Sequence, residues 1–252
     1  MDFAVETLLF LFFAAAVAGF MDTLAGGGGL ITIPALVVSG VPPLAALGTN
    51  KLQSSFGSGT ASFLLFKNKR IHWLELRSMM LAAFIGSAVG TVIVQFIDTK
   101  VLGFMIPLVL VIIAVYFVTA PYLKLESTQA RMSASTYQKT VLPAIGVYDG
   151  MFGPGTGSFL AVAGVSLRGL ELIKATATAK PLNFATNIAS LIAFIFAGQI
   201  MWLAGLAMIV GQFIGAWMGS HYLFKVNPRI LRILIVMICL VMLGQYAYKT
   251  YG

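Results

Sequence analysis

Apolar runs of about 20 residues, the length that an α-helix needs to cross a bilayer, follow one another along the chain and are separated by short polar loops. Charged residues make up only 10% of the 252 residues, whereas a soluble domain carries about 25%. The surroundings of most of this chain are therefore lipid. The sequence predicts an all-α polytopic membrane protein that forms a single membrane domain, 1–252, with no soluble domain.

The formal net charge of +8 does not indicate nucleic-acid binding, because the basic residues lie in short loops, as membrane topology requires. The single cysteine, Cys239, lies in the last apolar run, so we expect no disulfide framework, no metal site and no cofactor. The first apolar run, Phe3 to Met21, is flanked by Asp2 and Glu6, where a signal peptide would be positive. We therefore expect this run to be retained.

Two parts of the chain repeat each other. A register shift of 127 residues pairs Gly19 with Gly146, Asp22 with Asp149, Gly26 with Gly153 and Gly28 with Gly155. After a two-residue insertion, a shift of 129 pairs Lys51 with Lys180, Trp73 with Trp202, Gly86 with Gly215 and Gly90 with Gly219. The sequence thus predicts one fold used twice, as repeat 1 (1–120) and repeat 2 (141–252), joined by a linker (121–140).

Loop charge predicts that the repeats have opposite orientations. The loop with Lys67, Lys69 and Arg70 should be cytoplasmic, whereas its repeat partner, 197–201, carries no charge and can lie outside. Alternation then places the linker, with Lys124, and the turn with Lys225 and Arg229 inside. Both termini are predicted to lie outside, on the periplasmic side.

Each repeat is predicted to contain a broken helix pair followed by three transmembrane helices. The predicted spans are 44–66, 74–97 and 101–120 in repeat 1, and 174–197, 202–224 and 230–248 in repeat 2. Each broken pair turns at a glycine loop, and its second member, near 30–39 or 158–165, is long enough for half a membrane. The sequence does not distinguish re-entrant pairs from full spans. Broken helices that meet near the midplane are typical of secondary transporters.

Two lysines lie inside predicted spans, where lipid would not tolerate them. Lys51 shares a helical face with Ser54 and Ser58, and Lys180 shares one with Asn183 and Asn187. Ionisable residues at membrane depth indicate a functional site, and we interpret the lysines as contacts to an anionic substrate between the repeats. The alternative is a structural role, in which either lysine pairs with Asp22 or Asp149.

The helix that follows each glycine loop presents free amides and a partial positive charge, which favours an anion. The candidate substrate-binding residues are Gly28, Gly29, Asn50, Lys51, Ser54, Ser58, Thr156, Gly157, Ser158, Lys180, Asn183 and Asn187. Thr32 is a further hydroxyl near the first loop. Asp22 and Asp149 have three open roles: they hold the lysines, carry coupling protons, or cap the broken helices.

The motifs GFMDTLAGGGGLITIPAL with GTNKLQSSFGSGTA, and GVYDGMFGPGTGSF with TATAKPLNFATNIASL, resemble the two repeats of the TauE/SafE sulfite-exporter family (TSUP). The resemblance covers essentially the whole chain. It implies a transporter of the bacterial inner membrane for small sulfur-containing anions such as sulfite and sulfonates, including sulfoacetate, and not an enzyme. Alternating access of the two repeats is the expected mechanism.

Two other functions stay open. A passive anion channel could use the same binding residues. An intramembrane aspartyl protease could use Asp22 and Asp149, although such enzymes carry a GxGD order and here the glycines follow each acid.

Overall fold

The computed structural model describes residues 3–119, 129–222 and 228–251, and every regular element in these ranges is a helix. The helices of the first half are α1 (Val5–Ala25), α2 (Gly29–Val38), α3 (Pro43–Lys67), α4 (Trp73–Gln95) and α5 (Thr99–Thr119). Those of the second half are α6 (Ala134–Thr136), a π-helical turn (Tyr137–Val141), α7 (Leu142–Met151), α8 (Thr156–Arg168), α9 (Leu172–Phe196), α10 (Trp202–Tyr222) and α11 (Pro228–Tyr251).

The helices confirm a polytopic membrane protein. Within the described residues, α1, α4, α5, α9 and α10 are long and apolar enough to cross a membrane. Helix α3, with 25 residues, is also long enough to cross a membrane, but the polar face around Lys51 makes it less apolar than these five helices. The six predicted spans coincide with α3, α4, α5, α9, α10 and α11, and their ends agree to within about three residues. Lys124, Lys225 and the side chain of Arg229, used in the topology argument, lie outside the described residues.

Each broken pair has one long and one short member. Helix α1 has 21 residues and α2 has 10. In the second half the helical segment 134–151 precedes α8, which has 13 residues. This segment begins at Ala134 and not at Val141, so the end of the predicted linker is helical. The cause is an N-cap, since the Ser133 hydroxyl accepts a hydrogen bond from the Thr136 amide at 3.1 Å.

Polar groups lie inside the bundle and apolar groups cover it. Lys51, Asp149 and Gln212 are buried, while large apolar side chains such as Phe63 and Phe196 are exposed. A soluble protein has the reverse pattern, so the apolar outer surface is the one that faces lipid. Trp73 and Trp202, which the repeat register pairs, are both exposed at the first residue of their helices, as is typical of aromatic residues at a membrane interface.

The two halves interlock by the same contacts in exchanged roles. Helix α1 packs against α10, and its repeat counterpart α7 packs against α4. The two lysine-bearing helices, α3 and α9, pack against each other between these pairs. Exchanging the halves therefore maps these three helix contacts onto themselves, whereas the contact between α2 and α11 has, among the described residues, no counterpart of similar size between α8 and α5.

The repeated glycines make this interlocking possible. A Cβ added to Gly19 would lie 3.1 Å from the amide nitrogen of Ala216, and one added to Gly146 would lie 3.0 Å from that of Ser87. Gly146 is the repeat partner of Gly19, and Ala216 is the partner of Ser87. The same backbone contact is thus made twice, as the sequence repeat predicts. Opposite orientation of the halves in the membrane stays a prediction from loop charge.

Candidate functional site

The two glycine loops meet at the centre of the molecule. Gly26 ends α1 in the left-handed conformation (φ +75°), and Gly155 begins α8 in the same region (φ +79°). A side chain is disfavoured at these dihedral angles. A Cβ added to Gly157 would lie 3.0 Å from the Cα of Gly26, so the loops touch by their backbones. The short helices α2 and α8 therefore both begin at the contact between the halves.

A buried ion pair joins the two halves beside this contact. The ammonium nitrogen of Lys51, on α3, lies 2.8 Å from Oδ2 of Asp149, on α7. Their side chains are 1% and 2% exposed. This is the structural role considered for one lysine, and here it crosses from one repeat to the other.

The repeat counterpart of this pair has a different geometry. Lys180 is buried (2% exposed), and its ammonium donates a hydrogen bond to the main-chain carbonyl of Asp22. The Asp22 carboxylate instead accepts a hydrogen bond from the Gly28 amide at 3.1 Å. Asp22 thus satisfies an amide just before α2, which is the capping role considered for it. Two equivalent lysine–aspartate pairs have different partners in one structure.

A small polar cavity lies between the loops and the lysine-bearing helices. Its volume is about 10 Å³, the space of about one water molecule. Nine predicted residues line it: Asp22, Gly29, Asn50, Ser54, Asp149, Thr156, Gly157, Asn183 and Asn187. The cavity therefore draws residues from both broken pairs and from both lysine-bearing helices. Gly26, Gly153 and Gly155, which the repeat had paired but the site prediction had omitted, line it as well.

Five predicted site residues do not line this cavity. Ser58 is buried, and its hydroxyl donates to the Ser54 carbonyl of its own helix at 2.7 Å, so its role in substrate binding stays a prediction. The Gly28 amide is used by Asp22. Lys51 lies directly behind the cavity wall, in contact with Asp149. Ser158 is buried next to the wall, and Lys180 lines a second cavity.

A hydrogen-bond network that the sequence analysis missed fixes Asn50. The Thr32 hydroxyl lies 2.6 Å from Oδ1 of Asn50, and the Gln53 amide group donates to the same oxygen at 2.8 Å. Gln53 also donates to the Ser54 hydroxyl at 2.9 Å. Gln53 lies off the i+3, i+4, i+7 face used to choose candidates, and a search for any polar residue in an apolar span would have found it. Thr32 orients Asn50 and does not line the cavity.

The second cavity, which we call the vestibule, has a volume of about 530 Å³. Its walls are formed by Thr23, Ala61, Leu64, Leu65, Asn68, Lys69, Arg70, Lys180, Ser220 and His221. Lys69 and Arg70 are exposed at its rim, and Lys180 is buried at its inner end. Because Lys180 also contacts Asp22, this lysine links the vestibule to the polar cavity.

On the other side of the ion pair, the repeat counterparts of several vestibule residues are packed against one another. The Thr91 hydroxyl lies 3.1 Å from the Gly150 carbonyl and 2.9 Å from Oγ of Ser190, and Oγ of Ser190 lies 2.7 Å from Oγ of Ser87. We call these four residues the closed cluster. By the repeat register, Gly150, Thr91 and Ser190 correspond to Thr23, Ser220 and Ala61, all in the vestibule wall. Of these equivalent positions, those in the closed cluster are packed and those in the vestibule wall border open space.

Comparison with known proteins assigns the chain to a family. The sequence model described as "Sulfite exporter TauE/SafE" matches residues 11–246. The chain belongs to the TauE/SafE family. It is 41% identical to the probable membrane transporter protein YfcA of Escherichia coli, over 99% of this chain and 94% of the relative. No solved structure matches.

Two further relatives carry the same description. A probable membrane transporter protein of Sinorhizobium is 41% identical over 94% of this chain and 91% of its own length. One of Haemophilus influenzae is 39% identical over 98% and 97%. These findings support a multi-pass membrane transporter of the TauE/SafE family, as the sequence resemblance predicted.

Proposed function

We propose that this TauE/SafE protein is a secondary transporter that carries small sulfur oxyanions, such as sulfite or a short sulfonate like sulfoacetate, across the bacterial inner membrane by alternating access. The observation that carries the proposal is the pair of buried lysines at equivalent positions, Lys51 and Lys180, on either side of one polar cavity between the halves. Ionisable groups at this depth are costly and are typical of substrate pathways.

The chemistry of the cavity suits an oxyanion. The amides of Asn50, Asn183 and Asn187 and the hydroxyl of Ser54 can donate to its oxygens. Gly29 and Gly157, in the first turns of α2 and α8, line the cavity, so the positive ends of both helix dipoles lie at the same point. A volume near that of one water requires the site to open by a small rearrangement before the ligand enters.

Charge balance suggests how binding is coupled to movement. Two lysines and two aspartates sum to zero, so an arriving anion has to displace a carboxylate or be accompanied by a proton. Displacement of Asp149 from Lys51 would release the contact that joins α3 to α7 across the halves. Protonation of Asp149 would have a similar effect, and this is the basis for the proton coupling that we include in the proposal.

The difference between the vestibule and the closed cluster supports alternating access. Thr23, Ala61 and Ser220 border open space, whereas their counterparts Gly150, Ser190 and Thr91 are packed. A carrier with inverted repeats reverses its access by exchanging the conformations of the halves. The vestibule rim lies on the loop predicted to be cytoplasmic, so we assign this structure to the inward-facing state, with both termini periplasmic.

The two other functions fit less well. A channel needs a continuous path, and here the closed cluster and the buried Lys51–Asp149 pair interrupt it. A proteolytic aspartate pair shares a proton between adjacent carboxyls, whereas Asp22 and Asp149, which both line the cavity, have separate partners in Gly28 and Lys51. The relatives are described as membrane transporters, which also favours transport over proteolysis.

The test begins with purified protein in a thermal-shift panel of sulfite, thiosulfate, sulfoacetate, isethionate and succinate. We expect stabilisation by the sulfur oxyanions, and substrate counterflow in proteoliposomes for those that bind. Lys51→Ala and Lys180→Ala should abolish both responses. Lys174→Ala, which removes an exposed lysine from α9, is the matched control and should leave them unchanged.

The proposal fails in distinct ways. Stabilisation by succinate alone would overturn the substrate class. Flux without counterflow would indicate a channel. Unchanged binding and uptake in both Lys51→Ala and Lys180→Ala would overturn the assignment of the site.

A further inference from the structure

We infer that Lys69 and Arg70 form a second, weaker oxyanion site at the rim of the vestibule, which captures the substrate on this side before it reaches Lys180. The inference rests on the proposed function and extends it to the entry route. Both side chains are exposed and line the cavity that has Lys180 at its inner end. A cavity lined by one sign of charge raises the local concentration of an oppositely charged ligand.

The backbone at Lys69 has a conformation that few residues other than glycine adopt. Lys69 has φ +53°, in the left-handed region that favours glycine. The turn is a C-cap of α3, in which the amides of Lys69 and Arg70 donate to the carbonyls of Phe66 and Leu65, each at 3.0 Å. The same turn follows α9, where the equivalent residue is Gly198 with φ +66°.

The turn after α3 and the turn after α9 therefore have the same backbone geometry but different side chains. The amides of Gly198 and Gln199 donate to the carbonyls of Ile195 and Phe194, each at 3.0 Å, as their counterparts do. The second turn carries the residue that this conformation prefers and no charge. Membrane orientation requires basic residues in the first loop, and Lys67, at the end of α3, already provides one. Membrane orientation therefore does not require a lysine at position 69. Lys69 thus places an ammonium group on the vestibule wall that a glycine at this position could not supply.

The consequence is a one-sided recruitment of anions. Lys69 and Arg70 have only Gly198 and Gln199 as counterparts on the other side. Substrate should therefore associate faster, and half-saturate transport at a lower concentration, from the vestibule side. Because the attraction acts through partly solvated charges, it should weaken as ionic strength rises. The chemical class selected is a small, compact anion that can pass from the rim to Lys180.

The first test is initial-rate sulfite uptake into inside-out and right-side-out membrane vesicles. In Lys69→Gln/Arg70→Gln we expect the KM from the vestibule side to rise by roughly 3- to 10-fold at about 0.01 M ionic strength, with the kcat for uptake from that side unchanged. The difference should disappear at about 0.5 M. The matched control is Lys67→Gln/Arg77→Gln, which removes the same charge from exposed positions outside the vestibule wall.

A second variant separates charge from folding. Lys69→Gly removes the charge and relieves the left-handed backbone, so it should raise the Tm of the protein while raising the KM from the vestibule side. A variant that is less stable would mean that Lys69 holds the fold. An equal rise in KM in the Lys67→Gln/Arg77→Gln control would mean that only net surface charge matters, and either result would overturn the rim site.

A third measurement does not depend on transport. Phenylglyoxal modifies accessible arginines, and inorganic sulfate should slow modification of Arg70 in purified protein while leaving Arg77 unaffected, as read by peptide mass spectrometry. Equal protection of both arginines, or of neither, would overturn the rim site. If the wild type takes up no sulfite in either vesicle type, the proposed function fails for that anion, and the Arg70 protection still decides the rim site.

Discussion

The ammonium of Lys51 and the carboxylate of Asp149, which come from different repeats, lie 2.8 Å apart in the buried centre of the molecule. The counterpart lysine, Lys180, instead donates a hydrogen bond to the main-chain carbonyl of Asp22. A protein built from two equal repeats could have placed both lysines in the same environment. The paired lysine, Lys51, lies on the side of the closed cluster, and Lys180 lies on the side of the vestibule. Under the proposed function, we interpret this asymmetry as a feature of one of two alternating states.

Removing one partner of the ion pair should destabilise the protein strongly. A buried charge that loses its partner costs about 3–5 kcal/mol, whereas replacing both partners with apolar residues is often neutral. Lys51→Met and Asp149→Leu should each lower the stability in detergent by this order, and the double variant should recover most of it. Unfolding by heat or by denaturing detergent measures the effect, with exposed Lys67→Met as the control.

The same double variant separates folding from function. If Lys51 acts only as a structural partner, the stable double variant should transport at the wild-type rate. We expect it to fold and to transport nothing, because it lacks one of the two cationic groups that the substrate needs. Counterflow in proteoliposomes decides between these outcomes.

The close contacts between α4 and the α7 region should not tolerate a single added methyl group. A Cβ at Gly86 would press on the backbone of Pro143, and overpacking of this kind costs about 1–3 kcal/mol. We therefore expect Gly86→Ala to lower the Tm. Gly103→Ala is the control, since its Cβ would lie 3.9 Å from a ring carbon of Pro43, which is an ordinary van der Waals contact. Equal effects of the two changes would contradict the proposed interlocking.

Much of this fold could be predicted because the membrane restricts the chain to helices. The spans, the glycine loops and the pairing of the repeats follow from apolar length and from residue identity in a fixed register. The start of the second half at Ala134 could not be predicted in the same way, because a short capped helix is polar and looks like a linker. The network of Thr32, Asn50 and Gln53 was missed for a different reason, since Gln53 lies off the helical face that Lys51 shares with Ser54 and Ser58.

The site was predicted in composition but not in geometry. Helical spacing places Ser54 and Ser58 on one face, and only the structure shows that Ser54 lines the cavity while Ser58 bonds to its own helix. Likewise, the sequence gives both lysines equal standing. Only the structure shows that Lys51 pairs with a carboxylate while Lys180 contacts a main-chain carbonyl.

Asn50 should lose its orientation when Thr32 loses its hydroxyl. Thr32→Val keeps the shape of the side chain and removes the 2.6 Å contact to Oδ1 of Asn50. A lost hydrogen bond of this kind is worth about 1 kcal/mol, so we expect substrate affinity to fall by roughly fivefold with little change in Tm. Thr60→Val, which removes a hydroxyl that bonds only to its own helix, is the control and should leave affinity unchanged.

The closed cluster should be a moving part of the transport cycle. Oγ of Ser87 and Oγ of Ser190 lie 2.7 Å apart, on α4 and α9, so cysteines at these positions are within reach of each other for a disulfide in this state. If substrate leaves or enters on this side, the cluster has to open once in each cycle.

Oxidation of Ser87→Cys/Ser190→Cys, in a Cys239→Ala background, should therefore arrest counterflow, and reduction should restore it. Binding of the substrate from the vestibule side should survive, because the lock leaves that side open. The single-cysteine variants, treated with the same oxidant, should keep their activity. A fully cross-linked protein that exchanges substrate at the wild-type rate would mean that this side stays closed throughout transport, and the exchange of conformations between the halves would then have to be abandoned.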